Sequence, residues 1–495
     1  MLSISHLVRL LPAAALLALG MGAQAQSFRV QCPPTTTLHP NGSTVDPLHP
    51  GLVKCQQIAG GDGYATMGDG HQIYLFGFGP LSGLGDPTLD ALGKPKADGI
   101  LTGMPGTQTA VVFNDQTPTN TKRAMVEPAD IMNTGVLYSN SPAPMIAIDE
   151  DDELFLTLSN VGMIMRPDLF EQHTIHFHGY PNASSFFDGV PDASVAINIA
   201  GSFTYYYTAP DAGTYFWHCH ISPPEHLQMG MVGQLYVRPR QNRVPVGASL
   251  FSALQSSNQL NRTRTGSAST AATCSDILCT GETPLPKPNN QAQVLGGKYA
   301  YNDGDGSTRY DVEQPLQMMG FDPNFHFVGM TFNPEAFSAM KDKYFMLSGR
   351  SYPDTVNTKV NDLSATGPMS TMSSDGVSRP SQPVPSLITI NKSAGQTRAL
   401  LRISDLSVTE HTTLASLGVT MTVIAQNARL LRDMAGNNLY YDTNSITLGG
   451  GESVDVIIDV TNVPVGTYFV YSTNLDHLSN DAENFGGMMT EVVVQ

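Results

Sequence analysis

Two short clusters of histidine around one cysteine constrain this 495-residue chain more than any other feature. The first is His173-Thr-Ile-His176-Phe-His178-Gly179, and the second is Trp217-His218-Cys219-His220-Ile-Ser-Pro-Pro-Glu-His226-Leu-Gln-Met229-Gly230-Met231. They hold six of the thirteen histidines. On a β-strand, residues two apart face the same side. His176 and His178 therefore point together, as do His218 and His220, while Cys219 turns to the opposite face. One strand can then serve two metal sites. A thiolate, two imidazoles and a weak axial thioether form the donor set of a blue-copper electron-transfer site. Cys219, His226 and Met231 supply three of these donors and His173 the remaining nitrogen. The same-facing His176, His178, His218 and His220 suit further copper across the strand. Any one of these histidines alone reads more readily as a packed or surface residue, but six at these spacings around an unpaired cysteine do not. Zinc also takes Cys and His; the methionine five positions after His226 and the separate histidine pairs favour copper.

The surrounding sequence is β-type. Between about Gly63 and Val237 short apolar runs alternate with Gly, Pro, Asn and Asp, among them the runs beginning at His71, Thr109, Ile146, Leu154, Ser202, Tyr215 and Gly233. No long amphipathic helix interrupts them, as an antiparallel sandwich requires. Residues 241–295 turn to Ser, Asn, Thr, Gly and Gln and read as a linker. Strand-like runs resume at Tyr344, Ser386, Arg398, Val419, Val454 and Thr467, with segment 356–384 as a surface loop. The length exceeds one ordinary core, so two sandwiches in an all-β chain are expected.

The first 25 residues carry a weakly basic start (His6, Arg9), an apolar run from Leu10 to Met21, and Ala23-Gln24-Ala25, the pattern of a secretory signal. A periplasmic or secreted protein without a membrane span is expected. Its formal charge of −17 argues against nucleic-acid binding, which needs clustered Lys and Arg. Five cysteines make an odd count, and Cys219 is the one left over; sequence proximity pairs Cys32 with Cys55 and Cys274 with Cys279. His39, His49, His71, His326, His411 and His477 read as structural, and Met488 and Met489 as packing.

The two motifs resemble those of the multicopper oxidases of the cupredoxin superfamily, with wording similar to bacterial manganese-oxidising copper oxidases. The likeness extends to Val136–Glu153, Asp188-Gly-Val-Pro, Gly201-Ser-Phe-Thr-Tyr and Ala212-Gly-Thr-Tyr-Phe-Trp-His. It implies cupredoxin-like Greek-key folds for the two β-sandwich domains, and the chain is expected to divide into a signal peptide at residues 1–25, a copper-binding domain with an N-terminal extension at 26–240, a linker at 241–295 and a second domain at 296–495. It also implies His173, Cys219, His226 and Met231 as type 1 copper ligands, His176 as a type 2 ligand, and His178, His218 and His220 as type 3 ligands. One departure is the spacer: Ile221 to Glu225 puts five residues where the family usually has three.

In the second domain the resemblance places Tyr471, Ser472 and Thr473 where His-Cys-His is expected, and Ala415-Ser-Leu417-Gly418 where His-x-His-Gly is expected, so that domain is expected to be copper-free. The expected activity is oxidation of a phenolic or low-valent metal-ion reductant, with dioxygen as acceptor at the second copper site. A nitrite-reductase-like enzyme and a non-enzymatic copper-binding or electron-transfer protein are the alternatives. Because a trinuclear cluster of the family takes twice the four histidines available, a homo-oligomer completing the second site is expected.

Overall fold

The structure, a computed structural model, describes residues 33, 35–41, 51–81, 132, 135–179, 184–209, 211–256, 284–330, 336–356, 370–372, 378–380 and 386–495. The expected signal peptide, Cys32, His49, the strand at Thr109 and the Cys274–Cys279 pair lie outside them. Cys55 is disulfide-bonded.

Among the described residues the first sandwich packs two four-stranded sheets. One has β1 (Val53–Thr66), β2 (Gln72–Pro80), β4 (Glu153–Gly162) and β6 (Ser202–Thr208) in the order β2-β1-β4-β6. The other has β3 (Ile146–Asp149), β5 (His176–Phe177), β7 (Gly213–His218) and β8 (Val232–Arg238) in the order β3-β8-β7-β5, with helix α1 (Pro223–Gln228) between its last two strands. β4, Glu-Leu-Phe-Leu-Thr-Leu-Ser-Asn-Val-Gly, is buried along its whole length. Its alternating Leu154, Leu156 and Leu158 meet Ile146, Ile175, Trp217 and Leu235 in one core. The sheets are mixed rather than antiparallel throughout: β1 runs parallel to β4, and β3 to β8. Residues 53–80, within the segment expected as an extension, are integral, since β1 lies between β2 and β4.

The second sandwich follows a short hairpin, β9 (Lys298–Tyr299) with β10 (Arg309–Tyr310). Its larger sheet orders β12 (Tyr344–Leu347), β11 (Val312–Phe321), β16 (Arg398–Asp405), β22 (Ser453–Asp459), β18 (Met421–Gln426) and β19 (Arg429–Leu430), with β20 (Tyr441–Thr443) also on β18. The facing sheet orders β15 (Ile388–Ile390), β24 (Met489–Val494), β23 (Gly466–Ser472), β17 (Thr412–Leu417) and β21 (Ser445–Leu448). Within the expected surface loop, β13 (Ser370–Met372) pairs with β14 (Ser378–Pro380). Helix α2 (Pro323–Met330) packs on β2 of the first domain.

The domains meet along β7 and β8. Thr214 Oγ1 donates to Asp455 Oδ1 at 2.6 Å, Ser453 Oγ to the Thr214 carbonyl at 2.7 Å, and Gln234 Nε2 to Ser404 Oγ at 2.9 Å. All of these residues are buried. Such polar contacts fix the angle between two bodies more tightly than apolar contact alone, because each lost bond would strand a desolvated group. The strand that carries His218 is thereby held rigidly against its neighbour.

Candidate metal centre

β7 ends at His218, and the chain then continues outward through Cys219 and His220. The Cys219 amide donates to the Met231 carbonyl at 3.1 Å, which ties the Cys strand to the end of the following loop. The five-residue spacer noted in the sequence is accommodated by α1: Ser222, at φ +37°, turns the chain, and Pro223 and Pro224 occupy the first helical positions. That turn brings His226 Nδ1 to 3.3 Å from Cys219 Sγ. His173, Cys219 and His226 form one group whose ligand atoms lie within 4.8 Å of one another, all three fully buried. The Thr174 amide points at Sγ from 3.4 Å. Met229 and Met231 are both fully buried in the same core.

Electrostatics prepare this pocket for a cation. Burial raises the Cys219 thiol and depresses His226, but each acts on the other more strongly. The thiol is held well below its ordinary value, and His226 is raised to about 9. Burial keeps His173 below its usual value and therefore neutral. Neither ring nitrogen of His173 has a hydrogen-bond partner, nor does His226 Nε2. Buried polar atoms without partners are rare in folded proteins. A thiolate with two such imidazoles and a thioether core is the donor chemistry of copper, so the residues present fit that ion.

The opposite face gathers the other four histidines. His176, His178 and His218 form a second group of converging ligand atoms, and the His220 ring lies 5.0 Å from that of His176. His176 and His218 are directly paired across β5 and β7. Each is oriented through its Nδ1: His176 by the Asp188 carbonyl at 2.7 Å, His218 by the Cys219 carbonyl at 2.6 Å. Nδ1–H donation leaves Nε2 with its lone pair. The Asp188-Gly-Val-Pro motif has its reason here, since a side chain on Gly189 (φ +82°) would stand 2.0 Å from the Ile175 carbonyl oxygen, and only glycine lets Asp188 approach. Burial pushes His178 to about 4 and His218 to about 3, so both rings are neutral at neutral pH.

Glu171 was not among the residues singled out from the sequence. Its Oε2 lies 3.6 Å from His226 Nε2, and attraction to that ring holds the carboxyl below its usual range. The signal that would have found it is a repeat within the chain. Gly466-Thr-Tyr-Phe-Val-Tyr471-Ser472 copies Gly213-Thr-Tyr-Phe-Trp-His218-Cys219, and Ala415 pairs with Tyr471 as His176 pairs with His218. The Ser472 amide donates to the Met488 carbonyl (2.9 Å) and the Met488 amide to the His477 carbonyl (2.7 Å); the Cys219, Met231 and His226 bonds are 3.1 and 2.8 Å. His477 Nδ1 is 3.0 Å from Ser472 Oγ, and its Nε2 is 3.3 Å from Glu410 Oε1. His477 and Met488 thus stand where His226 and Met231 stand, Glu410 where Glu171 stands, with Ser472 and Thr412 replacing Cys219 and His173. The copper-type pocket survives in outline without its thiolate.

Two fused cupredoxin sandwiches, the first with a Cys/His pocket backed by a histidine face, define the class: a two-domain cupredoxin protein with a copper-type centre. Residues 120–242, which include β3 to β8 of the first sandwich, match a family model described as multicopper oxidase. The chain is 34% identical to the laccase abr2 of Aspergillus fumigatus over 104 residues, 21% of this chain and 16% of that protein. It is 32% identical to the multicopper oxidase MmcO of Mycobacterium tuberculosis over 85 residues, 17% of this chain and 15% of that protein. The matched stretches are therefore a minor part of those relatives. Among solved structures, the multicopper oxidase mgLAC aligns over 90% of this chain and 87% of its own at a TM-score of 0.51 and 15% identity, which shows the common fold. Among the described residues no helix is long and apolar enough to cross a membrane.

Proposed function

We propose that the protein is a copper oxidoreductase that takes single electrons from a small reductant, a phenol or a low-valent metal ion, and delivers them to dioxygen. The observation that carries this reading is the placement of two histidine groups on the two faces of one strand with Cys219 between them. Cys219, His173, His226 and Met231 would hold a type 1 copper, and His176, His178, His218 and His220 would hold the second centre. Bound there, copper supplies one-electron transfer at the first site and dioxygen reduction at the second.

The chain's own contribution is positioning and wiring. From Cys219 Sγ the covalent path to the Cys219 carbonyl continues through a single 2.6 Å hydrogen bond to the His218 ring. Two neighbouring sites are thus joined by one residue's own bonds. Burial of His173, Cys219 and His226 excludes water, which limits reorganisation on electron transfer. Glu171, partly exposed beside His226 Nε2, puts a negative charge at the pocket's outer edge. That charge favours a cationic reductant or one that gives up a proton with its electron.

Oxygen uptake by copper-loaded protein supplied with Mn(II), Fe(II) or a phenol tests the reading. We expect uptake that Cys219→Ser abolishes together with the blue absorption. A blue protein that consumes no oxygen with any of these donors would instead be an electron carrier, and turnover that depends on nitrite would make it a reductase.

A further inference from the structure

We propose that Tyr64 and Tyr74 form an electron-entry relay to the Cys219 pocket, with the Asp62 carboxylate as the base that takes the phenol proton. The inference rests on the copper reading above and names the route by which a reductant's electron reaches that pocket. A route is needed because the ligands are sealed: His173, Cys219, His226 and Met231 are each 0% exposed. Glu171 stands over His226 Nε2 at 3.6 Å, and a carboxylate is not oxidised by copper(II), whereas a phenol is.

The register of the first sheet assembles the relay. β1 and β2 pair antiparallel with Tyr64 opposite Tyr74 and Asp62 opposite Phe76. Opposed residues share a face, and so do residues two apart along a strand. The four side chains therefore tile one block, with Tyr74 and Phe76 in the core of the first domain and Tyr64 packed against it. One corner of the block reaches the pocket, since the Phe76 ring stands edge-on to His226 with centroids 5.2 Å apart. The diagonal corner reaches solvent: Tyr64 is half-buried, and its ring lies 5.8 Å from that of Tyr74. Each remaining step within the block is about 7 Å.

Packing gives no reason for the polar atoms here. Tyr74 is 3% exposed and Asp62 0%, and among the described residues neither Tyr74 Oη nor Asp62 Oδ1 has a hydrogen-bond partner. Phenylalanine and leucine would fill the same space without that desolvation cost. Asp62 Oδ2 accepts from the Met165 amide at 2.7 Å, which anchors the carboxylate and leaves Oδ1 uncommitted. Burial raises the Asp62 carboxyl, so it holds a proton more readily than an ordinary carboxylate. Burial, and after it the Asp62 charge, raises the phenols of Tyr64 and Tyr74, so each is protonated at rest and must release a proton when oxidised. Tyr74 gives one electron to the oxidised copper as its O–H bond breaks and the proton passes to Asp62 Oδ1, leaving a neutral phenoxyl radical and a copper reduced by one electron. Tyr64 then gives an electron to Tyr74 while the Asp62 proton returns, and its own proton goes to solvent. The reductant's electron and a solvent proton restore Tyr64, so the net change is one electron moved from reductant to copper.

The test is flash oxidation of the full chain by photogenerated tris(bipyridyl)ruthenium(III), read by blue absorbance and by mass mapping of oxidised tyrosines. In copper(I)-loaded protein the blue absorbance should return with a fast phase that is slower in D2O. Tyr74→Phe, which removes only an unpartnered hydroxyl, should lose the fast phase and keep the final absorbance. Asp62→Asn, which can still accept from the Met165 amide, should lose the D2O dependence. In copper-free protein the hole has no copper to oxidise, so Tyr64 and the buried Tyr74 should carry oxidation products while the equally buried Tyr236 and Tyr299 do not. The proposal is overturned if the absorbance returns equally fast in Tyr74→Phe, if Asp62→Asn keeps the D2O dependence, or if Tyr74 stays unmodified in the copper-free protein. A chain that takes up no blue copper would fail the copper reading instead, and the copper-free mapping would then decide the tyrosine pair alone.

Discussion

The side-chain amide of Gln228 donates to Asp342 Oδ1 at 2.7 Å across the domain boundary. Gln228 lies between His226 and Met231, so this bond places part of the copper-type loop in the grip of the second domain. The grip has other points: His326 Nε2 is 2.9 Å from the Gln228 carbonyl oxygen, and the Asp322 amide donates to Gln228 Oε1 at 3.4 Å. Gln228→Met keeps the length of the side chain and removes its polar end. The change should cost about 2–3 kcal/mol by stranding buried partners and should alter the type 1 signal in paramagnetic resonance. An unaltered signal would mean that the loop holds its geometry without the second domain.

Asp342 also makes stability depend on pH. Burial is the chief cause that raises its carboxyl to about 7, with Glu410, Asp322 and Asp405 adding repulsion against the bond from Thr409. An acid raised in the folded state is neutral there while it ionises in the unfolded chain, so its contribution is fully present below pH ~4 and is lost as pH rises to about 7. The span corresponds to roughly 4 kcal/mol. Thermal melts between pH 4 and 8 should show stability falling through this window in the wild type, and Asp342→Asn should flatten that part of the curve. A variant with the same slope as wild type would remove Asp342 as the cause.

The grouping of the histidines and the cysteine in the first domain was legible because its signals are local. Period-two facing divides His176, His178 and His218 from Cys219, and the structure gathers His173 with Cys219 and His226 and groups the other three. Strand runs gave the all-β class, but the parallel pairing of β1 with β4 did not show, because alternation within a strand carries no direction. Glu171 meets His226 through a contact between segments far apart in the chain, which the spacing within either ligand motif does not reach. His477, expected to be structural, stands at the His226 position, and only the backbone bonds of Ser472 and Met488 reveal it.

Glu313 joins the domains electrostatically. It accepts from Arg238 of the first domain at 2.7 Å and from Arg402 at 2.8 Å, and Arg402 is fully buried with Tyr236 4.9 Å beneath its guanidinium. Burial works to raise this carboxyl, but the two guanidiniums outweigh it and hold it at about 2. A depressed acid stabilises above its unfolded value near 4.5, and that stability is lost as pH falls toward 2. Glu313→Gln leaves Arg402 buried and uncompensated, with an expected loss of about 3–5 kcal/mol at neutral pH. Equilibrium unfolding in urea measures it, and a loss below about 1 kcal/mol would show that Asp455, 3.8 Å from Arg402, carries the pairing alone.

By the internal repeat, the second domain falls two side chains short of a copper pocket. Ser472 occupies the Cys219 position, hydrogen-bonded to His477 Nδ1 at 3.0 Å where Cys219 Sγ is 3.3 Å from His226 Nδ1. Thr412, three residues before Ala415 as His173 is before His176, is 1% exposed and stands at the remaining nitrogen position. Thr412→His/Ser472→Cys therefore restores thiolate, two imidazoles and the Met488 thioether on a backbone that already has the required bonds. The histidine must displace volume in a packed core, so a loss of about 1–3 kcal/mol is expected. The gain is a second blue centre: the type 1 signal per chain should double on copper loading, and Cys219→Ser in the same background should leave half of it. If the double variant folds, judged by its retained first blue signal, and the signal does not increase, then the repeat preserves the backbone of a copper pocket but not its donor geometry.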